Sequence, residues 1–133
     1  MKTVPVFLST IILLAIVALG CGGYGSGSGS GSGSMAAGAP SIAALVPNTT
    51  TAGSNGFILT VNGSGFVTGS VIYWSSTAHM TQVVTNGQLT TSISAAEVAT
   101  AGTVPVHVSN PGGTGIYMNQ SGQSSNTMNF MVQ

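Results

Sequence analysis

Charged side chains are almost absent from this chain of 133 residues. Lysine and arginine together occur once, and so do aspartate and glutamate together. The single cation is Lys2, so Glu97 carries the only formal charge in the rest of the sequence. Binding to nucleic-acid phosphates needs clustered lysine and arginine, and this composition therefore excludes a nucleic-acid-binding protein.

The lack of acidic residues also limits catalysis. Paired catalytic carboxylates, a serine–histidine–aspartate triad and a lysine nucleophile in the body of the chain cannot be assembled from these residues. The composition thus predicts a protein that is not an enzyme and uses no cofactor. Since 43% of the residues are hydrophobic, the chain does not resemble a disordered protein. Its polarity comes from uncharged side chains and glycine, which is typical of a β-rich domain with many turns.

Cysteine occurs once, at the end of the first apolar stretch. Lys2 is followed by a largely hydrophobic run over residues 4–19, and Cys21 comes two residues later. A positive start, an apolar run and small residues at its end are typical of an export signal. The run is shorter than the roughly 20 apolar residues of a membrane-spanning helix, although an uncleaved anchor remains an alternative. One cysteine cannot form a disulfide within a single chain.

The residues before the cysteine explain its position. Ala18-Leu19-Gly20-Cys21 resembles the lipobox of bacterial lipoproteins, with Gly20 and Cys21 as the matching positions and Ala18-Leu19 in a different order from the usual one. The resemblance implies that residues 1–20 are a lipoprotein signal peptide and that Cys21 is the lipid attachment site. The membrane would then be a partner through this anchor. The alternative is a spare cysteine beside an ordinary signal.

A glycine- and serine-rich tether is predicted over residues 21–39, beginning at the lipidated cysteine. It contains five consecutive Gly-Ser pairs. Such a composition is typical of a flexible coil, and residues 22–39 would span about 24 Å on average. Met35 directly follows the repeat, so a junction between fused segments is an alternative origin for the linker.

Short alternating runs separated by turn residues fill the sequence from residue 40 onward, which predicts a β-sandwich. Asn86-Gly87 between two such runs indicates a hairpin, and Pro105 within a run indicates an edge strand or a bulge. The side chains on one face of the runs include Phe57, Leu59, Val61, Ile72, Trp74, Val104, Val106, Val108, Met128, Phe130 and Val132.

The only acidic residue lies in a helix-start pattern. Ser94-Ala95-Ala96-Glu97 has the spacing of a capping box, which predicts a short helical turn closed by Gly102. We therefore interpret Glu97 as a structural cap and not as an acid catalyst. His79 and His107 lie on other predicted elements without metal-ligand spacing, so we expect solvent-facing histidines and no metal site.

Five stretches of this region resemble successive blocks of one family, the IPT/TIG domains. They are PSIAALVPNTTTAG, FILTVNGSGF, SVIYW, LTTSISAAEVATAGTVPVHVSNPGG and NFMV. The most specific piece is GSGF at residues 63–66, where two glycines permit a bend with positive φ and Phe66 can plug the sandwich end. NPG at residues 110–112 matches a turn of the family. The resemblance implies an all-β, immunoglobulin-like β-sandwich of the E-set type over residues 40–133.

IPT/TIG domains occur in bacterial surface proteins, receptor ectodomains and some transcription factors. Together with the lipobox, the resemblance implies a non-catalytic, lipid-anchored protein of the cell envelope, at the bacterial outer membrane or cell surface. Its domain would act as a binding or scaffolding module for a protein or glycan partner. The alternative is a carbohydrate-binding accessory module of a polysaccharide-processing system, for which an exposed coplanar aromatic pair would be needed. Tyr73 and Tyr117 are the candidates for that pair.

The loop over residues 110–126 is longer than the resemblance leads us to expect. It carries Ile116, Tyr117 and Met118 next to one another in an otherwise polar stretch. Adjacent apolar residues in a loop indicate either a small extra strand folded onto the sandwich or a contact patch. We name these three residues, together with Tyr73, as the candidate partner contacts, and both interpretations of the loop stay open at this point.

Overall fold

Nine strands form in residues 33–133, the part of the chain that the computed structural model describes, and the longer ones carry the alternating apolar residues. The signal peptide predicted for residues 1–20, the lipid site predicted at Cys21 and most of the predicted tether lie outside the described residues. The strands are β1 (Ser41–Val46), β2 (Thr49–Thr50), β3 (Phe57–Ser64), β4 (Val71–Trp74), β5 (Thr77–His79), β6 (Thr81–Thr85), β7 (Gln88–Ile93), β8 (Gly102–Ser109) and β9 (Met128–Val132). Two 3-10 turns span Ala95–Val98 and Gly115–Tyr117.

The strands form two sheets. The first sheet has the order β1-β3-β7-β6, and the second has the order β2-β9-β8-β4-β5. All neighbours are antiparallel except β2 and β9, which run parallel with Thr49 opposite Met131. The predicted all-β sandwich is confirmed, and so is the hairpin of β6 and β7 around Asn86-Gly87. No helix in residues 33–133 is long and apolar enough to cross a bilayer.

One continuous apolar core lies between the sheets. At its centre the ring of Phe130 packs 5.0 Å from that of Trp74 and 5.5 Å from that of Phe57. The predicted inward face is confirmed, since its members are buried or, for Phe57, Val104 and Met128, packed against the buried cluster. The cluster consists of Ile42, Leu45, Leu59, Val61, Phe66, Ile72, Trp74, Leu89, Ile93, Val98, Val106, Val108, Phe130 and Val132.

The bend after β3 has the predicted form. Gly65 has a φ of +73°, a conformation that glycine adopts without steric cost. Phe66 is buried at the end of the sandwich, and its N–H donates to the carbonyl of Asn86 at 2.9 Å. A Cβ at Gly63 would overlap the carbonyl oxygen of Ser41 and lie 2.8 Å from Cζ of Phe66. The bend therefore needs one glycine for its dihedral angle and the other for its lack of a side chain.

Two local predictions are wrong. Pro105 lies on β8, an interior strand without a bulge, and not on an edge. The carbonyl of Pro105 accepts from the N–H of Ser75 at 2.9 Å, and Ser75 lies just past the end of β4. Because the nitrogen and the carbonyl of a residue face the same neighbour in an antiparallel pair, the nitrogen of Pro105 also faces this turn, where no donor is needed. The first 3-10 turn ends at Val98 and not at Gly102, which instead opens β8.

Both edge strands of the first sheet carry a register irregularity. In β1 the shift lies between Ile42 and Ala44, and in β6 it lies between Val83 and Thr85. Irregularities of this kind twist a strand away from flat pairing and so protect an edge that has no lysine.

Candidate functional site

The loop between β8 and β9 exposes two of its three predicted contact residues. Gly115–Tyr117 form a 3-10 turn, so the loop does not contain the extra strand that was one of its two interpretations. Ile116 is 60% exposed and Met118 is 74% exposed, while Tyr117 is half-buried. Large apolar side chains that stay in water are available for contact with another surface.

The chain enters the domain directly beside this loop. The N–H of Thr114 donates to the carbonyl of Ser34 at 2.8 Å, and the N–H of Ser34 donates to Oγ1 of Thr114 at 3.1 Å. The N–H of Ala36 donates to Oε1 of Gln120 at 2.7 Å. Met35, between these anchored residues, is 66% exposed. The loop and the entering segment therefore form one end of the domain.

A buried asparagine holds this end together. The side-chain amide of Asn110 donates to the carbonyls of Gly38 and Gly65, both at 2.8 Å, and its Oδ1 accepts from the hydroxyl of Ser70 at 2.6 Å. Its backbone N–H donates to the carbonyl of Gln123 at 2.8 Å. Asn110 is 1% exposed, and its bonds join the entering segment, the β3 bend and the long loop around this buried side chain. The sequence signal was the NPG turn, which indicated a bend but not this burial.

Tyr73 lies elsewhere, on the outer face of the second sheet. Its ring stacks on that of His107 across β4 and β8, with centroids 4.8 Å apart and planes 5° from parallel. Both side chains are half-buried. Rings that stack face to face on neighbouring strands do not form a flat platform, and the described aromatic contacts do not pair Tyr73 with Tyr117. The geometry does not supply the coplanar pair that carbohydrate binding would need.

His79 does not face solvent as expected. Its side chain is 12% exposed, and its Nε2 lies 2.8 Å from Oε1 of Glu97. The two atoms are not aligned for a hydrogen bond, so the contact is a close polar approach and not a directed bond. The expectation was wrong because β5 and the first 3-10 turn approach each other only in the folded domain. Within residues 33–133, no three histidine, cysteine or acidic side chains come together in a way that could hold a metal ion.

Glu97 caps the first 3-10 turn as predicted. Its Oε2 accepts from the N–H and from the hydroxyl of Ser94, both at 2.8 Å. One carboxylate oxygen of Glu97 thus caps the turn, and the other lies close to the ring of His79.

Replacing Glu97 by alanine should lower the free energy of unfolding by about 1 kcal/mol, since it removes the cap of the turn. Glu97→Gln retains an oxygen that can accept from Ser94 and should cost less. Urea denaturation of both variants measures the difference. Equal losses in the two variants would show that the charge, and not the cap, carries the effect.

Comparison with known protein families agrees with this architecture. The family model of the IPT/TIG domain matches residues 40–130, which include β1 to β8 and the first three residues of β9. No curated protein matches the sequence. The family is a non-catalytic, immunoglobulin-like module that often serves in binding. With this match over most of its length and with two antiparallel sheets around one core, the chain belongs to the IPT/TIG family and carries a single domain of that family.

Proposed function

We propose that this protein is a non-catalytic, lipid-anchored component of the bacterial cell envelope, at the outer membrane or cell surface, whose IPT/TIG domain binds a partner. The observation that carries the proposal is the order of three sequence features. An apolar run ends in Gly20-Cys21, a Gly-Ser repeat follows, and the family match begins at residue 40. This order fits an anchor, a linker and a displayed module.

The chemistry of a thiol suits it to the role of the anchor. The sulfur of Cys21 can form a stable thioether with a lipid, and cleavage after Gly20 would make the cysteine the new N-terminus. Each lipid CH₂ that enters the bilayer contributes about 0.8 kcal/mol, and stable anchoring takes more than one chain or a second signal. A cysteine at this position therefore has a clear use in a chain that has no other cysteine.

Binding by this domain would depend on shape and apolar contact. The domain has Glu97 as its only acidic residue and no lysine or arginine, so it cannot steer a partner electrostatically over long distances. Ile116, Tyr117 and Met118 remain the candidate contacts on the loop, supported by the exposure of two of them. Tyr73 is a second, separate candidate on the sheet, and its stacking on His107 favours a protein over a glycan as the partner there.

Replacing Cys21 by serine should abolish lipid labelling and move the protein from the membrane to the soluble or secreted fraction. Cells fed an acyl-chain analogue report the labelling, and fractionation reports the location. The matched control is the double variant Cys21→Ser, Ser26→Cys, which restores a thiol within the Gly-Ser repeat but not beside Gly20. It should also remain unlabelled. Equal labelling of the wild type and of Cys21→Ser would contradict the proposed anchor.

A further inference from the structure

Three exposed apolar side chains lie at the end of the domain where the chain enters it. Met35, Ile116 and Met118 are 66%, 60% and 74% exposed. Ser34, next to Met35, is hydrogen-bonded to Thr114 in both directions, and this places Met35 beside the loop that carries the other two residues. We name Met35, Ile116 and Met118 the entry-end surface.

The attachment point restricts how far this surface can be from a membrane. Eleven residues lie between Cys21 and Gly33, the first described residue, so the two are only twelve residue steps apart. Fully extended, they would span at most about 43 Å. A Cβ on Gly33 would lie 2.8 Å from the backbone nitrogen of Ile116, so the chain reaches the domain at the entry-end surface itself. If Cys21 carries lipid, this is the end of the domain with the shortest chain path to the bilayer.

The chemistry of this end also fits a lipid surface. No lysine, arginine, aspartate or glutamate occurs between residues 33 and 40 or between residues 110 and 126. Apolar side chains can enter the headgroup region here without carrying a charge into it. Tyr117, on the same turn, combines an apolar ring with a polar hydroxyl, and tyrosine is enriched at membrane–water interfaces.

We propose that the entry-end surface docks onto the lipid bilayer to which Cys21 anchors the protein. The occupant of this surface is thus the membrane itself and not a second protein, so Ile116 and Met118 would contact lipid in place of the protein or glycan partner considered above. The inference rests on the proposed lipid anchor and adds an orientation to it. With the entry end against the bilayer, the Tyr73–His107 face remains available to a partner.

Methionine oxidation tests the proposal, because Met35 and Met118 lie in the entry-end surface and Met80 is exposed outside it. The lipidated full chain is reconstituted in phosphatidylcholine vesicles and treated with hydrogen peroxide, and sulfoxide formation is followed at each methionine by peptide mass spectrometry. Met80, 96% exposed between β5 and β6, is the reference. We expect Met35 and Met118 to oxidise severalfold more slowly than Met80. Vesicles that include phosphatidylglycerol should give the same protection, since the surface has no charge.

Variants separate docking from differences in intrinsic reactivity. Ile116→Ser with Tyr117→Ser should restore oxidation of Met35 and Met118 towards that of Met80. The matched control, Val46→Ser with Val84→Ser, removes two exposed apolar residues from the first sheet that do not line the pocket of the reference Met80, and it should leave the protection unchanged. A melting temperature equal to that of the wild type shows that each variant is folded.

The outcomes distinguish the anchor from the docking. A chain that does not partition into vesicles contradicts both proposals. A chain that partitions, but whose Met35 and Met118 oxidise as fast as Met80, contradicts docking and leaves the anchor intact. Protection that grows with the number of chains per vesicle would assign the surface to a second copy of the chain. Protection seen in native envelopes but not in purified vesicles would assign it to a protein or glycan. Each of these last two results overturns the lipid assignment.

Discussion

Replacing Asn110 by alanine should lower the free energy of unfolding by about 2–4 kcal/mol, because it removes a fully buried side chain together with the donor of the carbonyls of Gly38 and Gly65. The hydroxyl of Ser70 also loses its acceptor. In a domain of this size each kcal/mol lowers the melting temperature by roughly 4–8 °C. Calorimetry and urea denaturation measure the loss. We also expect faster proteolysis of the loop over residues 110–126, since Asn110 holds its base.

Asn126 provides the matched control. Its side chain also makes two good hydrogen bonds with one backbone segment, accepting from the N–H of Ile42 at 2.8 Å and donating to its carbonyl at 3.0 Å. Asn126 is exposed, however, so water can replace the lost groups. Asn126→Ala should therefore cost only about 1 kcal/mol. Similar losses in the two variants would contradict the role we assign to the burial of Asn110.

Replacing Gly63 by alanine should destabilise the domain by about 3 kcal/mol, because the added methyl group has no space. A Cβ there would overlap the carbonyl oxygen of Ser41, whose strand β1 pairs with β3 at this point. The clash is with backbone, so β1 and β3 would have to separate. That movement would also strain the bond from the N–H of Gly63 to the carbonyl of Gly87, now 2.9 Å.

Gly102 is the matched control for this substitution. It lies on β8 with φ outside the positive range, and a Cβ there would meet nothing within 4 Å. Gly102→Ala should be neutral or stabilising by about 0.5 kcal/mol, since alanine restricts the unfolded chain. Equal melting temperatures for Gly63→Ala and the wild type would show that β1 shifts without cost and would contradict the packing argument.

Local patterns were sufficient to predict the strands and their buried faces. Leu59 and Val61 alternate with exposed or half-buried residues along β3, and the side-chain period of a strand carries this information directly. The GSGF bend was predictable for the same reason, since its glycines and Phe66 are adjacent in sequence. The loop residues Ile116 and Met118 stood out because apolar residues are unusual in a polar stretch.

Contacts between distant segments were not predictable from such patterns. Asn110 looks like an ordinary turn residue, and its burial depends on Gly38, Gly65 and Ser70 converging in the folded domain. The approach of His79 to Glu97 arises in the same way. The prediction of an edge strand or a bulge at Pro105 was wrong because a missing N–H weakens a sheet only where a neighbouring strand continues. At Pro105 the neighbouring strand β4 has already ended.

The parallel pairing of β2 with β9 bears on how the domain would respond to mechanical force. The N–H of Met131 donates to the carbonyl of Asn48, that of Gln133 to Thr50 and that of Ala52 to Gln133, at 3.1, 2.8 and 2.6 Å. When the N-terminal end of β2 and the C-terminal end of β9 are pulled in opposite directions, the force acts along these parallel strands and not across them. The three bonds then share the load and must break together, whereas strands peeled apart would release them one at a time. Tension applied between the N-terminal end of β2 and the C-terminal end of β9 would therefore be resisted by all three bonds at once.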